Sequence, residues 1–598
     1  MAWVGERVQD RRRKPVPKRR TFWVILGSAV GLASVAGFGA LAVWNSAQAA
    51  RSDLSAAIPL ATELASSVVD GDTELALATV DELHTLTSSA REHTQGFAWR
   101  MYEWVPWLGN NLTAVRTLTE VVDDLVDEVA RPAAEVSIAD LMPRDGTFDL
   151  EALEEFATFA GGTEATVVSA QDRLATIGDA GLIDQVSAGV DEVSEKVDEV
   201  AVALHTANAV LSVLPDALGA QEPKSYLLLF QNNGEVTPAG GTVGSLAQVD
   251  VVAGRVSLGT QSSAAPEDIP LYGSPIVELP ADSLATYPYG LGMYAQSLTR
   301  TPRFELTYSI AREMWWRKTG ITVDGVAAID AVVLQRLIAA TGPVESIPGV
   351  TLTADNVLPL LLGDLYYTYS PAEVDEINQG IAGIVFKTVM AGEVDPIAFL
   401  DLLRDSALER RVLLWTDDPT QQDLLRGSDF DGTPPESTHA IAGFGVYFID
   451  LTPGKMQRFQ QQQITVSTPS CTPDGRREVV VRVALTNDVD PAIALGLPDY
   501  VTGLTQTKGT IKEGVLVYAP LGYTFNSVDV DGRPPAEQPA LTTDGSFVVA
   551  QAHDFIGPRE TRTFTFRFTA PEADTRAIEL DVTPVVNPTK ISVTTAGC

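Results

Sequence analysis

The chain has 598 residues, 42 basic and 78 acidic side chains, a formal net charge of −36 and 45% hydrophobic residues. Single cores stop growing near about 250–300 residues, so several folded units are expected, and the composition argues against a disordered or collagenous chain. Residues 1–20 hold eight basic and two acidic side chains, leaving 34 basic against 76 acidic in the remainder. Such a surface repels phosphate backbones and argues against nucleic acid as a partner.

The basic run ends at Arg20 and is followed by thirty uncharged residues, of which Phe22 to Val43 are the apolar part. Twenty-two helical residues span about 33 Å, enough for about 30 Å of hydrocarbon. A basic tail at 1–20 and a transmembrane helix at 21–44 are therefore expected. The positive-inside bias places the N-terminus in the cytoplasm and the bulk outside, as a single-pass cell-membrane protein. A signal peptide cleaved at Ala47-Gln48-Ala49 is the alternative, but the apolar run is longer than a signal core.

Residues 45–219 are rich in Ala, Val, Leu and acidic residues and read as an extracytoplasmic helical bundle. Ile183, Val186, Val190, Val193, Val197, Val200 and Leu204 recur at spacings of three and four, an apolar stripe that needs a partner helix. After Pro223 the period changes. Short apolar runs at 225–230, 326–329 and 411–415 alternate with helical patterns at 304–318, 331–340, 356–362 and 371–391, which predicts an α/β domain over 220–437. From 438 to 598, strands recur about every ten residues. Thr561 to Phe568 alternate strictly, predicting an immunoglobulin-like β-sandwich. The whole is a multidomain α+β chain.

Cys471 and Cys598 are the two cysteines, both in the β region, and a disulfide would fasten the C-terminus to an early strand. Two free thiols are the alternative. The five histidines are scattered and no Cys-x-x-Cys occurs, so no metal site is expected. The segment Gln231 to Ser245 concentrates amides, glycines and one carboxylate. Its glycines would let backbone amides approach an anion, and Asn232, Asn233 and Glu235 would bind polar groups or a hard cation. A turn that uses glycine for positive φ explains the same residues. Tyr287 to Tyr294 and Tyr366 to Tyr369 put aromatics where they would stack on sugar rings or pack on the core.

Tyr226-Leu-Leu-Leu-Phe-Gln-Asn-Asn-Gly-Glu-Val-Thr-Pro-Ala-Gly-Gly-Thr-Val-Gly-Ser245 resembles the signature of domain-of-unknown-function family 4012, found in actinobacterial envelope proteins. Similar to that family, in order, are Gly325 to Asp330, Ala340 to Val344, Leu352 to Asn356, Lys455-Met456, Leu485 to Asn487, Leu497 to Val501 and Val517 to Pro520. The family brings no known activity. A fainter resemblance is to the LytR-CpsA-Psr phosphotransferases, which move glycopolymers from a polyprenyl-pyrophosphate carrier to the cell wall. It implies a polyprenyl-phosphate lipid or a wall glycopolymer as partner, magnesium as the only cofactor, and Asn232, Asn233, Glu235, Asp330 and Arg312 as candidate ligand-binding residues. Where family 4012 often has Arg after the Asn-x-Glu-x segment this chain has Thr237, and no Arg-rich helix lies between Asp364 and Ala391. A non-catalytic scaffold or binding protein is the alternative function.

Overall fold

The computed structural model describes residues 18–69, 71–106, 108–135, 141–178, 181–347, 350–392, 394–503 and 507–594, with side chains of the first helix described from Phe38 onward. The chain divides into two compact units, residues 1–138 with 156–208, and residues 139–155 with 209–598.

The first unit is helical, with α1 (Lys18–Val69), α2 (Thr73–Thr94), α3 (Gly109–Leu125) and the greater part of α4 (Leu150–Ala175) and α5 (Asp184–Ala217). Its sequence explains why α1 is so long. Val43, Ala50, Ala57 and Leu64 are buried at intervals of seven, and Ala57 and Leu64 meet Ala76, Val80 and Leu83 of α2. A seven-residue apolar repeat keeps one face of a helix against a neighbour, so nothing ends the helix at residue 44. Asp72 starts α2 by accepting from the Leu75 amide. A second cluster joins Val121 of α3, Val167 and Leu174 of α4 and Val190 and Val197 of α5. The predicted stripe on α5 thus finds its partners, although Ile183 and Val200 at its edges are exposed.

Two expectations are corrected here. Among the described residues no helix is long and apolar enough to cross a membrane, which conflicts with the expected transmembrane helix at 21–44 and with the single-pass location inferred from it. In place of a separate span there is one helix of 52 residues that carries charges from Arg51 onward. The side chains of 18–37 and the whole of 1–17, where the basic tail and most of the apolar run fall, lie outside the described residues.

The second unit contains a first sheet of β1 (Lys224–Thr237), β2 (Gly240–Val252), β3 (Arg255–Ser263) and β4 (Gly325–Asp330). After the hairpin of β5 (Val344–Ile347) and β6 (Val350–Leu352), it is completed by β7 (Val412–Thr416). The order is β3-β2-β1-β4-β7, and β1 with β4 is the one parallel pair. Helix α6 (Phe304–Thr319) packs Phe304, Ile310, Met314 and Trp315, all fully buried, into a core with Leu227 and Leu229 of β1. Next come α7 (Ala331–Thr341), α8 (Leu365–Thr368) and α9 (Pro371–Met390). The start of α9 is set by a capping box between Ser370 and Glu373 with Pro371 in the first turn.

Ten strands follow in two sheets. β8 (Ile441–Asp450), β9 (Gln460–Ser467), β10 (Glu478–Asn487), β11 (Ile511–Pro520) and β12 (Thr524–Val530) are followed by β13 (Ala540–Asp544), β14 (Phe547–Ile556), β15 (Thr561–Thr569), β16 (Ala577–Val582) and β17 (Lys590–Thr594). They pair as β12-β15-β10-β9-β17 and β13-β14-β11-β8-β16. The alternating Phe564, Phe566 and Phe568 of β15 are fully buried in a core with Phe444, Val446 and Phe448 of β8, as the strand's period of two dictates. The last strand of each sheet pairs in parallel, β16 with β8 and β17 with β9, which departs from the expected immunoglobulin-like pattern. Tyr447, Ile449, Leu516 and Tyr518, on the other faces of β8 and β11, belong to the core of the first sheet. The two sheet systems of this unit therefore share one apolar interior.

Candidate functional site

The glycine-rich segment expected as a ligand loop is a β-hairpin. β1 runs through to Thr237 and β2 starts at Gly240, so Pro238 and Ala239 make the connection. Pairing runs from Phe230 with Ser245 to Asn232 with Thr242 and resumes at Val236 with Gly241. Asn233, Gly234 and Glu235 form a bulge, which re-aims side chains out of the strand's alternation. The Asn232 carboxamide oxygen accepts from the Gly234 amide at 2.9 Å and holds the bulge. Glycine is required opposite it, because a Cβ on Gly241 would lie 2.4 Å from the carbonyl carbon of Asn232 and 2.6 Å from the nitrogen of Asn233.

The bulge separates the expected site residues into two groups. Asn233, fully buried, donates to Asp330 Oδ2 at 3.0 Å and to the Pro584 carbonyl at 3.3 Å, and its oxygen accepts from the Ala331 amide. Asp330 ends β4 and caps α7, its Oδ1 accepting from the Val332 and Val333 amides at 2.9 Å. Arg411, at the entrance to β7, donates to Asp330 Oδ2 at 2.6 Å, to the Val585 carbonyl at 2.8 Å and to Glu409 at 2.5 Å. Burial works against the Arg411 charge, but Asp330 and Glu409 override it and raise its pKa. Both Asp330 oxygens are occupied by donors and the Asn233 amide is used at each end. These residues do not fit magnesium, which needs free oxygen ligands in an octahedron.

Arg312 is not part of this constellation. It pairs with Asp417 at 3.1 Å and lies 5.9 Å from the Tyr308 ring centre, with both charged groups partly exposed. Asp417 hydrogen-bonds through its amide to Asp324, just before β4 begins, whereas Asp330 is where β4 ends. Six strand residues, about 20 Å, separate the two. Thr237 is buried and donates to Thr299 at 3.1 Å. Of the aromatic runs, Tyr287 is buried with its hydroxyl 2.6 Å from that of Tyr518, while Tyr366 faces the second group of site residues.

That group surrounds Lys455. Its ammonium pairs with Glu235 and sits 5.2 Å from the Tyr366 ring centre and 4.9 Å from that of Tyr500, the two rings being 5.7 Å apart. Asn232 donates to the Tyr366 hydroxyl at 3.1 Å. Burial opposes the lysine charge, but Glu235 and then the two tyrosines raise its pKa, so it stays cationic. Tyr500 is 45% exposed while Lys455 is 5% exposed, so of these two it is the tyrosine that meets solvent. Asp375, bonded to Ser263 at 2.6 Å, has its pKa raised mainly by burial. Sequence reasoning had Lys455 and Tyr500 only as parts of family motifs, because their approach to Asn232 and Glu235 depends on packing between segments more than 200 residues apart.

Among the described residues no group of three or more His, Cys, Asp and Glu side chains is placed to hold a metal. A cavity of about 10 Å³ lined by Pro238, Ala239, Arg410, Tyr447, Asp581 and Pro584 has room for one water and not for a prenyl chain. Cys471 is not a free thiol, and its expected partner Cys598 lies outside the described residues.

A search of curated proteins gives no match to the chain. Residues 221–366 match the model of the family described as protein of unknown function (DUF4012). That segment holds the bulged hairpin, Asp330, its capped helix and Tyr366, and over it the chain is similar to the DUF4012 family.

Proposed function

We propose that the protein is a non-catalytic binding protein for the sugar chain of a cell-wall glycopolymer. The observation that carries this reading is the Lys455 cluster, where two tyrosine rings, an amide and an ion pair meet beside the bulged hairpin. Aromatic faces stack on the apolar side of sugar rings, and amide and charged groups satisfy hydroxyls. Phosphoryl transfer needs cations converging on the phosphate, and Arg312 and Arg411 are each engaged elsewhere. The acidic surface further favours the sugar portion of a polymer over its phosphates.

Replacing the half-exposed Tyr500 with Ala is expected to weaken binding of a purified wall polysaccharide, read by calorimetry, by roughly two- to tenfold, the range of a lost aromatic contact. Lys455→Met should weaken it further. Equal affinity in folded variants would remove the cluster from the interaction.

A second reading, handling of a polyprenyl-phosphate-linked glycopolymer, rests on Lys455 as a cation beside Asn232 and Glu235. Native mass spectrometry distinguishes the two. A polyprenyl phosphate that co-purifies and is lost in Lys455→Met supports the lipid carrier, whereas a lipid-free mass with retained sugar binding supports the first reading.

A further inference from the structure

A cluster of buried polar side chains closes one end of the sandwich, where its two sheets would be expected to continue their apolar interior. The inner faces carry Phe444, Val446 and Phe448 on β8, Ile464 and Val466 on β9, and Val515, Val517 and Ala519 on β11. Continuing each alternation by one or two steps places Asp450, then Gln462 and Gln460, then Glu513 on the same inner faces. Asp450 and Glu513 are directly paired across β8 and β11. Gln457, from the turn before β9, donates to Glu513 Oε2.

Glu513 and Gln460 are completely buried, Gln457 is 1% and Gln462 3% exposed, and Oδ2 of the half-buried Asp450 is itself buried. Asp450 Oδ2, Glu513 Oε1 and the side-chain oxygens of Gln457, Gln460 and Gln462 have no hydrogen-bond partner. Among the described residues neither carboxylate has an ion-pair partner, and the nearby cations Lys455 and Lys512 are paired with Glu235 and Glu537. Like charges directly opposite on adjacent strands repel, and ionised carboxylates only accept hydrogen bonds. The cluster therefore has five buried side-chain oxygens without a hydrogen-bond partner, beside the unpartnered amide nitrogens of Gln460 and Gln462. A hydrophobic core would select against Gln460 and Gln462 at these inward positions unless something bound there.

We propose that Asp450, Glu513, Gln457, Gln460 and Gln462 form a calcium site that joins the two sheets of the sandwich. Two carboxylates match the charge of the ion, and five side-chain oxygens with one or two waters give the six to eight ligands of its irregular shell. Magnesium, which demands a regular octahedron and keeps its waters, suits the cluster less. The site is independent of the sugar-binding reading, and Tyr500→Ala should leave it intact.

The test uses the full chain, stripped with a chelator and titrated with calcium chloride by calorimetry, with melting followed in parallel. The expected result is one saturable equivalent of calcium per chain, above weak surface binding, and a melting temperature raised by at least about 3 °C. Magnesium at equal concentration should give less. Glu513→Gln should lose the equivalent, while Asp401→Asn and Asp423→Asn on exposed helix faces should keep it. In chelator Glu513→Gln should melt at or above the wild type, and in calcium below it, a crossing that a purely structural glutamate would not give. If Glu513→Gln does not fold, Asp450→Asn carries the same comparison. Equal melting in chelator and calcium, or a retained equivalent in the folded variants, would overturn the site.

Discussion

Replacing Arg411 with Ala is expected to destabilise the second unit by about 3–5 kcal/mol, the cost of breaking a buried ion pair from one side. The Arg411 side chain is 6% exposed and its partner Asp330 1%. Without the guanidinium, Asp330 keeps the Val332 and Val333 amides and Asn233, but no cation. The Val585 carbonyl loses its donor as well. Arg411→Lys should recover part of the loss, since an ammonium keeps the charge but cannot reach Asp330, Glu409 and Val585 as one planar fork. Arg312→Ala is the control: its pair with Asp417 is partly exposed, and such pairs contribute about 0–1 kcal/mol. Urea midpoints of the three variants, with slopes compared to confirm a common transition, give the answer. A loss below about 1 kcal/mol for Arg411→Ala would show that Asp330 does not depend on this partner and would reopen it as a ligand residue.

Periodicity carried much of the architecture. The stripe from Val186 to Leu204 and the alternation of Phe564, Phe566 and Phe568 are both local patterns; the three phenylalanines are fully buried, and the stripe packs inward except at the exposed Val200. What local pattern could not supply was termination and pairing. Nothing in 21–44 distinguishes an apolar helix that stops from one that continues to Val69, because the deciding feature, the seven-residue repeat from Val43 to Leu64, lies mostly downstream. Glycines between Gly234 and Gly244 read as a loop because strand propensity penalises them, whereas here they permit the close approach of β1 and β2 around a bulge. Asn233 and Asp330 were found together with the correct residue types for a ligand site. Arg411, 81 residues beyond Asp330, turns them into a structural joint, and only the β4–β7 pairing reveals it.

Changing Gly241 to Ala should cost about 3 kcal/mol, although the substitution adds one methyl group. Overpacking a closed site costs about 1–3 kcal/mol when side chains can move aside. Here the obstructing atoms are backbone, the carbonyl carbon and oxygen of Asn232 at 2.4 and 2.5 Å and the nitrogen of Asn233 at 2.6 Å. Relief would require β1 to part from β2 at the bulge that positions both Asn233 and Glu235. The same change at Gly162, inside α4 with nothing within 4 Å of the added carbon, should stabilise by about 0.5–1 kcal/mol through helix propensity and a less flexible unfolded chain. Thermal melts of the two variants should therefore move in opposite directions. Gly234→Ala should fall between them, because its nearest obstacle, at 2.9 Å, is the Asn232 side-chain oxygen, which can rotate away at the expense of the 2.9 Å hydrogen bond it accepts. If Gly241→Ala melts as the wild type does, steric approach does not explain the paired glycines. A backbone cradle for an anion would then be the better account of the hairpin, and phosphate binding to that variant the next quantity to measure.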